Sequence, residues 1–590
     1  MRTVVRSTLI AGMTGTLMVS AAWAGISIVP VPLPSPSTTG STAKAPAPGT
    51  PRLPGTTVAA ASVNPVTLGA GQLLVGAAKT SMSPRPADMV KRFPGARWET
   101  DPAKCKTEDP AWLKDIPKSA LNAMDGVANP GSTWPENPDC IYMGGFGLGP
   151  QNPVQVFDEK GVVDPAHNRP GLGLWVRSVA ISDGKKPFVM TVVDAEGWLW
   201  DYKSKCTDCG AKQISAALAS DPELAGLGLA PSSFILHATH SHSGPDFIGG
   251  WGFVPNWYMA QITDSIKATA KAALTSMQPA TLETGEVEAR AFNHERRDTY
   301  RAAEEQQLSW LRAVAVPAPA APVPAGDSGN GKDRGTGNDP APVPAPEPTT
   351  IVTLGAYAAH PTTRGTNGMV ASSDWVGVFE SRLEDRFGGI GMHFMTGLGN
   401  MSSAGGSGIG TSLANLVPAV GAGIPVTDTA VRVAQTTYRS PLTNVPLTAL
   451  GTPGLFDRKF DVLPVAVRVG EKPDTAPCVS ASAQSVELPV TVAKIGSQIV
   501  FTTGPGEEFS NLTNTIKEQN AGKVTFPLAQ VNDALGYMPQ SFEINPVGQQ
   551  ALGFVAGGYL FVNYEDSYAI DRCVGDGLLE LTLQQLRALT

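Results

Sequence analysis

The sequence predicts an α/β fold, with a mixed β-sheet core flanked by helices and the active site at the strand ends. Three observations carry this. Apolar runs of strand length end in breakers within 233–245, 352–363, 392–405 and 499–507. Stretches of helical length and pattern alternate with them at 256–277, 374–387 and 576–589. Each apolar run also delivers a group suited to zinc binding or hydrolysis, and an α/β fold keeps its chemistry where its strands end.

Taken in chain order, Met1-Arg2 and Arg6 precede an apolar stretch from Leu9 to Val19, followed by Ala22-Trp23-Ala24. This is the pattern of a signal peptide over 1–24, with Gly25 opening the mature chain. An uncleaved N-terminal anchor is the alternative, because the uncharged run is long enough to span a bilayer. Residues 25–70, rich in Pro, Thr, Ser and Ala, read as a flexible tether, and 71–590 as the catalytic domain. Six cysteines suit an oxidising compartment. Cys206 and Cys209 form a Cys-x-x-Cys that reads as a local disulfide, because no thioredoxin-like strand precedes it. Cys105 with Cys140 and Cys478 with Cys573 are the economical remaining pairs.

Residues 237–245 read His-Ala-Thr-His-Ser-His-Ser-Gly-Pro, so three of the seven histidines fall within six positions. Side chains two apart on a strand share a face, which predicts that His240 and His242 point the same way. A Pro/Ala/Gly-rich insertion at 317–350 cannot pack a core and separates this segment from the next. The run 352–363 ends in His360-Pro361, and 392–405 runs into a glycine-rich turn presenting Ser402. Residues 404–427 carry no charge and read as a lipid-facing lid or a buried loop. A strand from Ile499 delivers Glu507 on a Pro-Gly turn, and Gly536-Tyr537-Met538-Pro539 puts a phenol in a turn.

The order and wording of these motifs resemble the neutral/alkaline (non-lysosomal) ceramidase family. Its Gly-Thr-His-Thr-His-Ser-Gly-Pro is matched by Ala238 to Pro245, and its His-Pro-Thr by His360-Pro361-Thr362. Its Ser-Ala-Asp-Trp/Phe is matched by Ser372-Ser373-Asp374-Trp375. Its Gly-Asp-Val-Ser-Pro turn aligns with Gly399-Asn400-Met401-Ser402-Ser403, and its Pro-Gly-Glu with Pro505-Gly506-Glu507. The tyrosine motifs match Gly536 to Pro539 and Tyr564-Glu565, and Val75 to Pro84 resembles the first strand. The resemblance spans residues 73–590 with gaps.

By this resemblance His240, His360, Glu507 and Tyr537 hold one zinc ion per chain. His242 stands beside the metal as a proton carrier or partner of a ligand, and Tyr564 donates to the developing oxyanion. Ser402 aligns with the serine assigned as nucleophile, or alternatively as a contact to a substrate hydroxyl. Zinc-activated water and a serine nucleophile are competing routes to the same amide bond. Two departures stand out. Asn400 replaces the family's aspartate, and where the family has Asn-Arg, Asn293 is followed by His294-Glu295-Arg296-Arg297, leaving open which arginine reaches the site. Many ceramidases continue into an immunoglobulin-like C-terminal domain; this chain ends at Thr590, shortly after Tyr564, so none is expected.

The implied function is zinc-dependent hydrolysis of the N-acyl bond of ceramide or a related N-acyl lipid. An amidase or esterase acting on another substrate, and a non-catalytic zinc- or lipid-binding periplasmic protein, are the alternatives. The expected partner is an amphipathic lipid substrate with peripheral membrane contact, and the expected location is secreted or periplasmic. With 44 Lys+Arg against 52 Asp+Glu and a net charge of −8, no basic patch invites nucleic acid.

Overall fold

Alternating apolar side chains build a sheet that is buried on both faces. In the computed structural model, residues 68–589 are described except 106–136, 146–151, 158–162, 165–168, 171, 298–303, 318–348, 366–368, 445–456, 471–476 and 545–563. The leader expected at 1–24, nearly all of the tether at 25–70 and nearly all of the insertion at 317–350 lie outside the described residues.

Eight strands make the main sheet: β1 (Gln72–Ser81), β2 (Trp175–Ser182), β3 (Pro187–Val193), β4 (Phe234–Ala238), β5 (Gln278–Glu288), β6 (Gln307–Ala315), β7 (Thr350–Tyr357) and β8 (Ile390–Met395). Their order is β8-β7-β6-β5-β1-β2-β3-β4, with the short Ile424–Pro425 strand alongside β5. β3–β4 and β7–β8 are parallel and the other pairs antiparallel, so the sheet is mixed. A second mixed sheet runs β9 (Val431–Pro441), β10 (Ser485–Ile495), β11 (Ile499–Thr503), β12 (Val524–Leu528) in that order.

β3 shows how sequence alternation sorts the layers. Phe188, Met190 and Val192 face the second sheet, where Phe188 meets Phe501 at 5.8 Å between ring centroids. Val189 and Val193 face the other way, toward α1 (Asn256–Thr275). Tyr258, Ile262, Ile266, Ala270 and Ala273 return every turn of α1 to that side and are buried. Gly76 of β1 lets α1 cross closely, because a methyl group there would strike the Ala273 carbonyl. α2 (Asp374–Phe387) covers the β7–β8 end through Trp375, Phe379 and Leu383. On the second sheet, α4 (Ser510–Gln519) and α5 (Val574–Ala588) pack on the outer side. The layers run helix, sheet, sheet, helix, and each fully buried large apolar side chain stabilises them by ~1.5–3 kcal/mol.

The expected helices at 256–277, 374–387 and 576–589 are α1, α2 and α5, with ends that agree within about two residues. All three expected disulfides are present: Cys105–Cys140, Cys206–Cys209 and Cys478–Cys573. Three local expectations are corrected. Residues 404–427 are not one loop, since α3 (Ile409–Leu416) buries Ile409, Leu413 and Ala414 against Trp375 and Phe379. The turns expected at Ser402 and Tyr537 are short strands. Met401–Ser403 pairs with Asn293–Glu295, and Tyr537–Met538 runs parallel to Glu507–Glu508.

Candidate metal centre

β3 and β4 are parallel neighbours, so the segments that follow them emerge on one edge of the sheet. β4 stops at Ala238, two residues before the first predicted ligand, and Thr239 N–H still donates to Val193 O at 3.0 Å. His240 then adopts the left-handed conformation, with φ of 59°. The strand-face argument for His240 and His242 therefore fails, because a left-handed residue breaks the two-residue alternation. The rings meet for another reason: the turn folds them together, with centroids 4.9 Å apart.

His360 comes from the end of β7, and its ring centroid lies 5.3 Å from that of His240 and 5.9 Å from that of His242. Donor nitrogens of the three rings come within 4.8 Å of one another, and all three residues are buried. Each Nδ1 lies within hydrogen-bond reach of a main-chain carbonyl. His240 Nδ1 is 2.8 Å from Glu196 O, His242 Nδ1 2.6 Å from Gly145 O, and His360 Nδ1 3.1 Å from Met401 O. A ring that spends Nδ1–H on a carbonyl presents the lone pair of Nε2, as a metal-ligating histidine does. Glu507 Oε2 stands 2.9 Å from His360 Nε2 and 3.5 Å from His240 Nε2.

The electrostatics follow from burial. It drives the His242 imidazole well below its ordinary range and, helped by the Arg296 guanidinium, brings His360 down to about 4. Burial acts on His240 in the same sense, but the Glu507 and Glu196 carboxylates outweigh it and lift that imidazole to about 9. Burial alone would raise Glu507, yet the His240 and His360 imidazoles hold it well below the usual carboxylate range. A proton on His240 thus occupies the electrostatic place of a cation. Three imidazoles and a carboxylate are the donors zinc takes. Among the described residues the buried His240 Nε2 forms no hydrogen bond of ordinary geometry, so the residues fit a divalent metal.

Neither a family model nor a curated protein matches this sequence. Among solved structures, a ceramidase in complex with C2 superposes with a TM-score of 0.50 at 12% identity, covering 88% of this chain and 76% of that one. Neutral ceramidase from Pseudomonas aeruginosa gives a TM-score of 0.49 at 14% identity, covering 88% and 75%. The chain has the ceramidase fold.

On this ceramidase fold the remaining expected residues fall as follows. Tyr537 lies directly across from Glu507 in the short parallel pair, and its hydroxyl accepts from Arg296 Nη2 at 3.2 Å. Arg296 is the arginine that reaches the site. Its Nη1 lies 3.4 Å from His360 Nδ1, Nη2 donates to Gly399 O at 2.8 Å, and Nε donates to Glu565 Oε1 at 2.8 Å. Arg297 turns away to Asp566 Oδ1 at 2.7 Å. Ser402 follows Met401, whose carbonyl holds His360; it is half-buried and sits opposite His294. Among the described residues no side chain hydrogen-bonds the Ser402 hydroxyl. Tyr564 opens a short helix, Tyr564–Tyr568, and its side chain lies outside what is described.

Asn400 is turned from Ser402 toward the start of α4. Its Oδ1 accepts from Ser510 N–H at 2.8 Å, and its Nδ2 donates to Ser510 Oγ at 2.8 Å and Glu295 Oε1 at 3.3 Å. Sequence reasoning overlooked Glu196, which lies beside His240 and His242 at the end of β3. The signal was Asp194-Ala195-Glu196 closing an apolar run, but nothing local tells that β3 and β4 are neighbours.

Proposed function

We propose that this chain is a zinc-dependent hydrolase of the N-acyl amide bond of ceramide or a related N-acyl lipid, releasing a fatty acid and a sphingoid base. The observation that carries this reading is the convergence of three buried imidazoles and the Glu507 carboxylate at the strand ends of a ceramidase fold. His240, His242, His360 and Glu507 would hold the zinc, with Tyr537 alongside. When bound, the ion supplies Lewis acidity and water activated near neutral pH.

The chain's own residues orient and stabilise. Arg296 ties the Tyr537 hydroxyl, the Gly399 carbonyl and His360 into one unit beside the carboxylate, keeping a positive charge close to where an amide oxygen gains negative charge. Ser402 contacts a substrate hydroxyl: no imidazole or carboxylate among the described residues is bonded to its Oγ to take the proton that a nucleophilic role requires. The lipid is presented at a membrane surface by a chain exported through its N-terminal leader. Three disulfides support an oxidising compartment. Among the described residues no helix is long and apolar enough to cross a membrane.

The test is a screen of zinc-loaded protein against N-acyl lipids of graded chain length, short N-acyl amides and esters. Release of fatty acid from ceramide at a rate well above the short amides is expected. A fully loaded preparation that favours the short amides or esters, or cleaves nothing, overturns the substrate assignment.

A further inference from the structure

One carboxylate holds the chain that follows the histidine turn. Asp246 is completely buried; its Oδ1 accepts Ile248 N–H at 2.9 Å and Gly249 N–H at 2.8 Å, and its Oδ2 accepts Trp251 N–H at 2.6 Å. Charge-assisted bonds of this kind are strong, so three of them on one side chain fix the main chain at Trp251 before any ligand arrives. Gly252 follows at φ of 105°, a conformation closed to most side chains.

Trp251 stands against the metal centre. Its ring centroid lies 6.4 Å from that of His242. Gly145, whose carbonyl lies 2.6 Å from His242 Nδ1, packs so closely that a methyl group there would strike the indole. Among the described tryptophans, Trp98, Trp175 and Trp251 keep part of their surface in solvent and the rest are buried. Trp98 packs edge-on against Phe157, and Trp175 lies under Lys79 Nζ. Of the three, Trp251 is the one whose partly open ring adjoins an imidazole of the centre. Such a ring is a surface for an apolar group, since ligand pockets combine aromatic walls with a few polar anchors.

The placement also selects which apolar group. Ser402 follows Met401, whose carbonyl lies 3.1 Å from His360 Nδ1, so the substrate hydroxyl assigned to Ser402 sits on the His360 side. The primary and secondary hydroxyls of a ceramide belong to its sphingoid base. Trp251 stands beside a different ring, His242, and is left to the acyl chain. We propose that Trp251 is a wall of the acyl-chain subsite and sets the preference for acyl length. This rests on the reading of the chain as a hydrolase of N-acyl lipids.

The experiment uses zinc-loaded full-length protein as wild type, W251A and W251F. The substrates are ceramides with acetyl, hexanoyl, dodecanoyl and hexadecanoyl chains on one sphingoid base, and a second series in which the base is shortened instead. Zinc content is read by elemental analysis and folding by near-ultraviolet circular dichroism. In W251A the ratio of kcat/KM between hexadecanoyl and acetyl substrates is expected to fall at least about tenfold, the loss arising mainly in KM, because each methylene denied an apolar contact is felt. In W251F, which keeps a smaller ring, the ratio is expected to fall about threefold, and this variant decides should W251A fail to fold. Zinc content is expected to stay at the wild-type level in both. An unchanged ratio, or an equal loss on every acyl length, would overturn the subsite while leaving the hydrolase standing; zinc loss with that equal loss would make Trp251 a prop for His242. A loss that follows the length of the sphingoid base would overturn the acyl assignment. A fully loaded wild type that cleaves no N-acyl lipid would remove the hydrolase reading itself, and this proposal with it.

Discussion

Replacing Asn400 by aspartate restores the residue of the ceramidases that this sequence resembles, and the structure predicts harm from it. The change keeps shape and volume, so no cavity enters the balance. One contact gains: the carboxylate would accept from Ser510 N–H at the start of α4, worth ~0.3–1 kcal/mol at a helix N-terminus. Another reverses: the amide nitrogen that donates to Glu295 Oε1 at 3.3 Å becomes an oxygen facing an oxygen. Two like charges at that separation oppose each other by about 5 kcal/mol at an effective dielectric of 20. Glu295 is half-exposed, so screening reduces this to about 2 kcal/mol. Asn400 itself is fully buried, and desolvation of the new charge adds to the loss. The expected outcome is a variant less stable by about 1–3 kcal/mol at pH 7, with turnover unchanged or lower. The new carboxyl would have a raised folded pKa, so the deficit grows as pH rises and shrinks in mild acid. Thermal melts at pH 5 and pH 8, with initial rates on an N-acyl lipid, measure both. A variant that is both more active and at least as stable would refute the assignment of Asn400 to the α4 start.

Three further outcomes are expected. Purified protein should carry one zinc per chain, and His240→Ala and His360→Ala should each lose it by elemental analysis; full occupancy in both would reject the centre. Ser402→Ala should raise KM and keep measurable turnover, whereas a fall of several orders of magnitude, or a trapped acyl-Ser402, would make the serine the nucleophile. His237 is buried with Nδ1 3.0 Å from Ala529 O and Nε2 receiving Met395 N–H, and burial pushes it down to about 3. Its folded pKa lies below the unfolded value near 6.5, so stability is lost as pH falls through that window, by about 2 kcal/mol at pH 5. His237→Gln should be less stable at neutral pH but show a shallower acid slope in chemical unfolding; an unchanged slope would mean that His237 is already charged.

Much of this was legible in the sequence because strands and helices announce themselves by local pattern. The apolar runs before His237, His360 and Glu507 are β4, β7 and β11, and the 374–387 pattern is α2. The layering into two sheets was not legible. Phe188, Met190 and Val192 look like any buried strand, and only tertiary pairing gives them Phe501 as a neighbour. For the same reason Glu196 escaped notice and the choice between Arg296 and Arg297 stayed open: each lies on a segment whose neighbours in space are far away in sequence.

The position of His240 explains why the centre does not depend on strand geometry at all. A non-glycine residue at φ of 59° costs about 1–2 kcal/mol, and such strain persists only where the surroundings enforce it. Here the Glu196 carbonyl after β3 receives the His240 ring, and main-chain carbonyls hold the other two rings likewise, Gly145 from the segment paired near Pro245 for His242 and Met401 after β8 for His360. Each carbonyl anchors one ring through Nδ1, and His360 is also met by side chains, Glu507 at Nε2 and Arg296 at Nδ1. Because these anchors are main-chain atoms, side-chain substitutions among the donors remove ligands without releasing the remaining rings. The centre should therefore lose metal affinity donor by donor while its shape persists, a pattern that separates a preorganised site from one that the ion itself assembles.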